Sequence, residues 1–191
     1  MNELLDYFKK NVSIPAEIEN KLNEIIVEKK LVKGEIILAD NSLKKEHIFV
    51  VSGCLRSFYK TEEGKEYTIQ FAIKNWWISD YITLYTNAKS IITIESLTHS
   101  KVLILDKNKT DELYKVYPPF EVFQRKNFEK RTATLQKRIL GLLTLSAAEK
   151  YNQFINDYAD FEKIIPNYQI ASFLGITPQS LSRIRKEKFK K

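Results

Sequence analysis

The side chains best suited to chemistry in this chain lie near its C-terminal end, in Asn167–Lys186, NYQIASFLGITPQSLSRIRK. Gln179, Ser180, Arg183 and Lys186 fall at i, i+1, i+4 and i+7, the spacing of one helix face, with Leu181 and Ile184 on the other side. Gln pairs bidentately with adenine, Arg with guanine, and Ser with bases or phosphate. A helix that presents them near its N-terminus is therefore built for the major groove of double-stranded DNA. From Arg183 to Lys191 six cations, Arg183, Arg185, Lys186, Lys188, Lys190 and Lys191, stand against Glu187 alone. Arg185, Lys188, Lys190 and Lys191 suit phosphate contacts, which supply affinity and register but little sequence information.

Catalytic chemistry has few candidates. The chain holds two histidines, His47 and His99, and one cysteine, Cys54. No Ser-His-Asp order, Gly-rich phosphate loop, zinc-ligand spacing or paired carboxylates stands out, so no catalytic residue, metal or cofactor is assigned and the chain is not read as an enzyme. A lone cysteine rules out an intramolecular disulfide or a multi-cysteine cluster and fits a reducing cytosol. Cys54 is expected as a small buried hydrophobe.

A base-reading face must be held by a second helix, and the local signals provide one. Ile170, Ala171, Leu174, Ile176, Leu181 and Ile184 cannot share one helix face, because the register breaks at Gly175. The pattern predicts a helix over Tyr168–Leu174, a turn through Gly175-Ile176-Thr177, and a second helix from Pro178 to about Lys188. Gly175 takes the left-handed conformation that ends the first helix without a Cβ penalty. Thr177 is the N-cap of the second, with Pro178 at the first helical position where its missing N–H costs nothing. Ala171 is small where the two helices cross, which makes the stretch a helix-turn-helix, with Thr177 joining Gln179, Ser180, Arg183, Arg185, Lys186 and Lys188 as DNA-facing residues.

The rest of the chain must position this pair. Its 191 residues are 43% apolar, enough for a real core, and carry a formal net charge of +7, which favours a polyanionic partner. MNELLDYFKK has neither the apolar nor the basic part of a signal peptide, and no apolar run approaches the roughly 20 residues that span a bilayer. The chain is expected in the cytoplasm, with no membrane contact.

Residues 1–30 read as helical, with Ser13 and Pro15 marking entry to a second helix. From about Leu31 to Leu105 the runs EIILAD, HIFVVSG, LRSFYKT, EYTIQFAI, SIITIESL and KVLILD read as short strands of a sandwich or barrel, with a hairpin turn at Glu62-Glu63-Gly64 and another turn at 98–100. After Pro118-Pro119 the pattern is helical. Phe128, Thr132, Leu135, Ile139 and Leu142 form an a/d seam flanked by charges, which we read as a dimerisation helix rather than one packing on its own β-domain. Ser146 starts another helix, and a loop at 160–167 leads to the helix-turn-helix.

This order of N-terminal helices, β-roll, long helix and helix-turn-helix resembles the Crp/Fnr transcription regulators, the cyclic-AMP receptor protein and its relatives. The resemblance covers essentially the whole chain and rests on QIASFLGITPQSLSRIRK, supported by GEIIL and FVVSGCLRSFYKTEEGKEYTIQFA. It implies an α+β fold: a cyclic-nucleotide-binding-like antiparallel β-roll with N-terminal helices over 1–117, a dimerisation helix and hinge over 118–145, and a helix-turn-helix (winged-helix-like) domain over 146–191. It further implies a homodimer on two-fold DNA sites, contact with RNA polymerase, a small-molecule effector, and control of DNA affinity by movement near Gly141–Ser146. By position Gln179, Ser180 and Arg183 match the family's base-reading residues, while Pro178 stands where several relatives place an Arg.

The nucleotide site departs further. Cyclic-nucleotide binders carry Gly-Glu and, about ten residues later, Arg-Ser or Arg-Thr, so that backbone amides and a guanidinium hold the phosphate while the carboxylate takes the ribose hydroxyl. Here Ser79-Asp80 and Ser90-Ile91 stand in those places, with no glycine between Gly64 and Gly141 and no arginine between Arg56 and Arg125. Trp77, Ser79, Asp80, Lys89, Ser90 and Ile91 are the candidate effector pocket, although ordinary cyclic-AMP binding is not expected. The aromatic group Trp76, Trp77, Tyr81 and Tyr85 lines an apolar pocket or simply fills core. His47 and His99, isolated on strands, read as core or exposed side chains rather than haem ligands. The sequence reading is therefore a homodimeric, sequence-specific DNA-binding regulator. The alternative is a ligand-binding or protein-interaction module that does not read DNA specifically.

Overall fold

The structure, a computed structural model, describes residues 3–10 and 12–188. Lys190 and Lys191, expected among the phosphate contacts, lie outside the described residues. The chain divides into two compact units, one of Met1–Tyr59 with Gln70–Phe128, the other of Lys60–Ile69 with Glu129–Lys191.

The first unit opens with helices α1 (Glu3–Lys9) and α2 (Ala16–Ile25). Strands β1 (Ile26–Leu31), β2 (Ile36–Leu38), β3 (Glu46–Ser52), β4 (Leu55–Lys60), β5 (Glu66–Ala72) and β6 (Trp77–Ile78) follow, then the short helix α3 (Tyr81–Tyr85), β7 (Thr93–Ser96), β8 (Ser100–Asp106) and helix α4 (Lys107–Val116). They form two four-stranded sheets, ordered β1-β8-β3-β6 and β2-β7-β4-β5. The pairings β1–β8, β3–β8, β3–β6, β2–β7 and β4–β7 are all antiparallel.

β3 is apolar at successive positions because both of its faces are covered. Ile48 and Val50 join Leu55, Ile78, Ile94 and Val102 in the core between the sheets. Phe49 and Val51 face the other way, with Leu103 and Leu105, into a second core made with Leu4, Phe8, Leu22, Leu113 and Phe120 from the helices. Phe8 and Phe120 meet edge to face at 4.4 Å. Cys54 is buried as expected, and burial pushes its thiol up to about 12, leaving it inert as a nucleophile. At Gly53, φ is +87° and an added Cβ would lie 2.2 Å from Ser100 Oγ, so only glycine fits where β3 turns into β4.

Two readings of the sequence change here. The helical pattern does not run to residue 30. α2 ends at Ile25, and Ile26–Leu31 pairs with β8 from Ile26↔Leu105 to Leu31↔Ser100. A ladder of backbone hydrogen bonds overrides local periodicity, and the charged residues of β1 find partners in the Glu28–Lys101 and Lys29–Glu35 ion pairs. The sequence reading also passed over α4, whose first turn is capped by the Asp106 carboxylate accepting from the Lys109 N–H at 3.0 Å.

Helix α5 (Pro118–Thr144) buries Phe120 and Phe123 near its start and is exposed along most of its later length. In the second unit α6 (Ala147–Tyr158) starts from a capping box between Ser146 and Glu149, and α7 (Asn167–Leu174) and α8 (Pro178–Lys188) follow. Tyr151, Phe154, Tyr158, Ile165, Ile170, Ala171, Leu174 and Leu181 are the buried apolar residues of these helices and their connection. After α5 the described residues form no strand, so α7 and α8 are followed by no β wing there, and the strand residues of this unit come from the β4–β5 hairpin. Among the described residues no helix is long and apolar enough to cross a membrane.

Candidate nucleic-acid interface

The turn between α7 and α8 is built as its residue types require. Gly175 sits at φ 65°, ψ 35°, in the left-handed region. Its N–H donates to the Ser172 carbonyl at 3.2 Å, and the Ile176 N–H reaches the Ala171 carbonyl at 3.0 Å, the paired bonds of a Schellman ending. Thr177 Oγ1 accepts from the Ser180 N–H at 3.1 Å, capping α8, and Pro178 is its first residue. Leu181 of α8 is fully buried, and Ile170, Ala171 and Leu174 of α7 are buried too.

This packing fixes which side of α8 faces solvent. Gln179, Arg183, Lys186 and Lys188 are exposed, and Ser180 is half-buried with its hydroxyl accepting from Thr177 Oγ1 at 2.9 Å. Gln179, Arg183 and Lys186 thus form an outward strip near the start of a capped helix, with Thr177 beside them. Two expected phosphate contacts point elsewhere. Lys188 Nζ donates to Asn152 Oδ1 at 3.1 Å, back towards α6. Arg185 is turned into the domain, where its guanidinium binds Tyr151, Glu162 and Asn167. Its register on α8 places it opposite Gln179 and Arg183, where acceptors of its own domain outcompete solvent.

The expected dimer seam is open in the single chain. Leu135 (42% exposed), Ile139 (56%), Leu142 (37%) and also Leu143 (78%) leave a strip of apolar surface on α5. Thr132 is exposed, whereas Phe128 is half-buried and meets the Tyr81 ring at 5.8 Å. Arg138, one of the charges beside the seam, is half-buried. It donates to the carbonyls of Ile69 at 2.5 Å and Phe173 at 3.1 Å and lies 4.1 Å from the Phe173 ring centre. The Ser172 hydroxyl donates to the Glu66 carbonyl and accepts from the Thr68 N–H, both at 2.9 Å. The tip of the β4–β5 hairpin, which turns at Thr61–Lys65, therefore belongs to the second unit. Nothing local in the sequence marks Arg138 or Ser172 for this.

The candidate effector residues differ in burial, and their polar atoms have partners close by. Asp80 is 3% exposed, and its carboxylate caps α3, accepting from the N–H groups of Ile82 (2.9 Å) and Thr83 (3.3 Å) and from the Thr83 hydroxyl (2.9 Å). Ser79 Oγ donates to its neighbour's carbonyl at Ile78, and Ser90 Oγ donates to the Ile92 carbonyl, closing turns in the chain's own backbone. Lys89 and Ile91 are exposed. Trp77 packs on the helix side of the sheet, 5.0 Å from Phe49 and 6.5 Å from Phe8, so it fills core. Trp76 lies against the inter-sheet core, and Tyr85 is exposed with Lys107 Nζ 5.5 Å from its ring centre. His47 is buried edge-on to Trp77, and burial pulls its pKa down to about 4, while His99 is exposed.

Residues 28–117 match the cyclic nucleotide-binding domain family. No curated protein is matched significantly by sequence. Among solved structures, FixK2 from Bradyrhizobium japonicum superposes with a TM-score of 0.70 at 16% identity, over 87% of this chain and 85% of that one. The chain shares its fold with that protein. A CooA mutant from Carboxydothermus hydrogenoformans gives a TM-score of 0.70 at 18% identity, over 95% of this chain and 82% of its own. The Thermus thermophilus catabolite activator protein gives 0.56 at 17% identity, over 94% and 85%. Between Trp77 and Ile92 the chain carries neither glycine nor arginine.

Proposed function

We propose that this chain is a homodimeric, sequence-specific DNA-binding transcription regulator of the Crp/Fnr type. The observation that carries the reading is the outward strip Gln179, Arg183 and Lys186 on α8, held by a capped turn and a buried Leu181. The apolar strip Leu135, Ile139, Leu142 and Leu143 supplies the dimer contact, which sets the two copies of α8 about one DNA turn, roughly 34 Å, apart. Lys186 takes a phosphate role, and Thr177 and Ser180 adjust the turn that meets the backbone. The regulator does not take cyclic AMP through the usual residues, because Ser79, Asp80 and Ser90 spend their polar atoms on local backbone and on Thr83. RNA polymerase is its partner once bound to DNA.

Fluorescence titration of the full chain against genomic fragments at several salt concentrations tests this. The expected result is a subset of fragments bound at least about a thousandfold more tightly than the rest. Binding that is equal for all fragments and vanishes at moderate salt would leave only a non-specific cationic surface, and no binding would favour a ligand or protein module.

A further inference from the structure

α8 carries an arginine that faces inward. Arg185 sits among charged neighbours at the end of the chain, yet its side chain is only 20% exposed. Its Nε donates to the Tyr151 hydroxyl at 3.0 Å, one terminal nitrogen donates to Asn167 Oδ1, and the other donates to the Glu162 carbonyl at 3.3 Å and pairs with the Glu162 carboxylate. The Tyr151 hydroxyl in turn donates to Glu162 Oε1 at 2.5 Å. Burial and this bond to a carboxylate push the Tyr151 phenol up, so it remains a donor. One guanidinium thus joins four pieces of chain: α8, α6 through Tyr151, the turns after α6 through Glu162, and the first residue of α7 through Asn167.

We infer that Arg185 is a positioning residue for the recognition helix, fixing the angle and rotation at which α8 presents Gln179 and Arg183. This rests on the DNA-reading function proposed above. The apolar contact that holds α8 is narrow, since Leu181 is its one buried residue among those described. A helix held by a single buried leucine can roll about its axis. Three donor directions in one plane, each ending on a different segment, oppose that roll, and a lysine ammonium on a flexible stem cannot reproduce them. The segment at 159–166 contributes no strand, and Arg185 ties it to α8 by both the backbone and the side chain of Glu162.

The test compares Arg185→Ala, Arg185→Lys and Glu162→Gln with the wild-type full chain, on its tightest genomic fragment across a salt series. All three variants are expected to lose affinity by about tenfold or more. The slope of log K against log salt should stay unchanged in Arg185→Ala. A slope smaller by about 0.9, or full rescue by Arg185→Lys, would make Arg185 a phosphate contact and overturn the inference. Glu162→Gln removes a negative charge, so a purely electrostatic role predicts tighter binding, and that result would also overturn it. Amide hydrogen exchange without DNA decides the positioning role even if the wild type proves to bind no DNA specifically. Faster exchange confined to α8 and residues 160–167 in Arg185→Lys supports it, and unchanged exchange there sinks it.

Discussion

Two stretches of this chain, one around α3 in the first unit and one on α8 in the second, carry polar side chains and use them in opposite ways. In the segment from Ser79 to Ile91, Ser79, Asp80 and Ser90 are buried, and their oxygens close a helix start and turns of the same segment. On α8, Gln179, Arg183 and Lys186 are exposed on a helix whose first turn is capped by Thr177, just after Gly175 has closed α7. A buried polar atom must find a partner within the fold, and once it has one it has little left for a ligand. An exposed polar face on a rigid helix loses no partner when it meets DNA. The residue types are similar in the two places, and burial separates structural roles from recognition.

Substitutions can break this contrast. Leu135→Asp places a charge in the apolar strip of α5 and should convert the dimer to monomer by sedimentation, lowering operator affinity by roughly a hundred- to ten-thousandfold as the second half-site is lost. A stable dimer in that variant would remove α5 as the interface. Acid should act on the β-roll side. His47 is buried neutral with its pKa near 4 rather than the usual 6.5, chiefly through desolvation, with Asp111 and Asp106 opposing and Lys107 adding to the shift. The unfolded chain takes up a proton first as pH falls. The stability tied to His47 is therefore complete above pH 6.5 and is lost between 6.5 and 4, on the order of 3 kcal/mol. His47→Gln should flatten denaturant-derived stability over that window, and a slope as steep as wild type would place the titrating group elsewhere.

On α8, Arg183→Ala should cost about 1–3 kcal/mol on the preferred fragment and relax preference at one base pair, with thermal stability unchanged. A uniform loss over all sequences would make Arg183 a phosphate contact. Asp80→Ala should do the reverse, destabilising the β-roll by about 1–2 kcal/mol in urea while leaving DNA affinity intact. Calorimetry with cyclic AMP should register no heat on either the wild type or Asp80→Ala, and a saturable heat on the wild type would return the segment to the ligand-binding class.

The sequence already contained most of the helix-turn-helix, because its signals act within a few residues. Gly175 in the left-handed region, the Thr177 cap, Pro178 at the first position and the buried Leu181 each follow from local backbone and hydrogen-bonding rules. The missing glycine and arginine of the nucleotide site were legible for a simpler reason, since no placement of gaps supplies a residue type that is absent. The tertiary structure alone decided that Ile26–Leu31 is a strand, that Trp77 packs towards the helices, that Asp80 caps α3, and that Arg138 and Arg185 turn inward. Each of these depends on a neighbour's position in space. β1 needs β8 more than sixty residues later to complete its ladder. Arg185 finds its acceptors at Asn167, Glu162 and Tyr151, brought beside it only when the helices pack. Periodicity states which face of an element is apolar, but where a charged side chain goes is settled by the acceptors that folding brings within its reach.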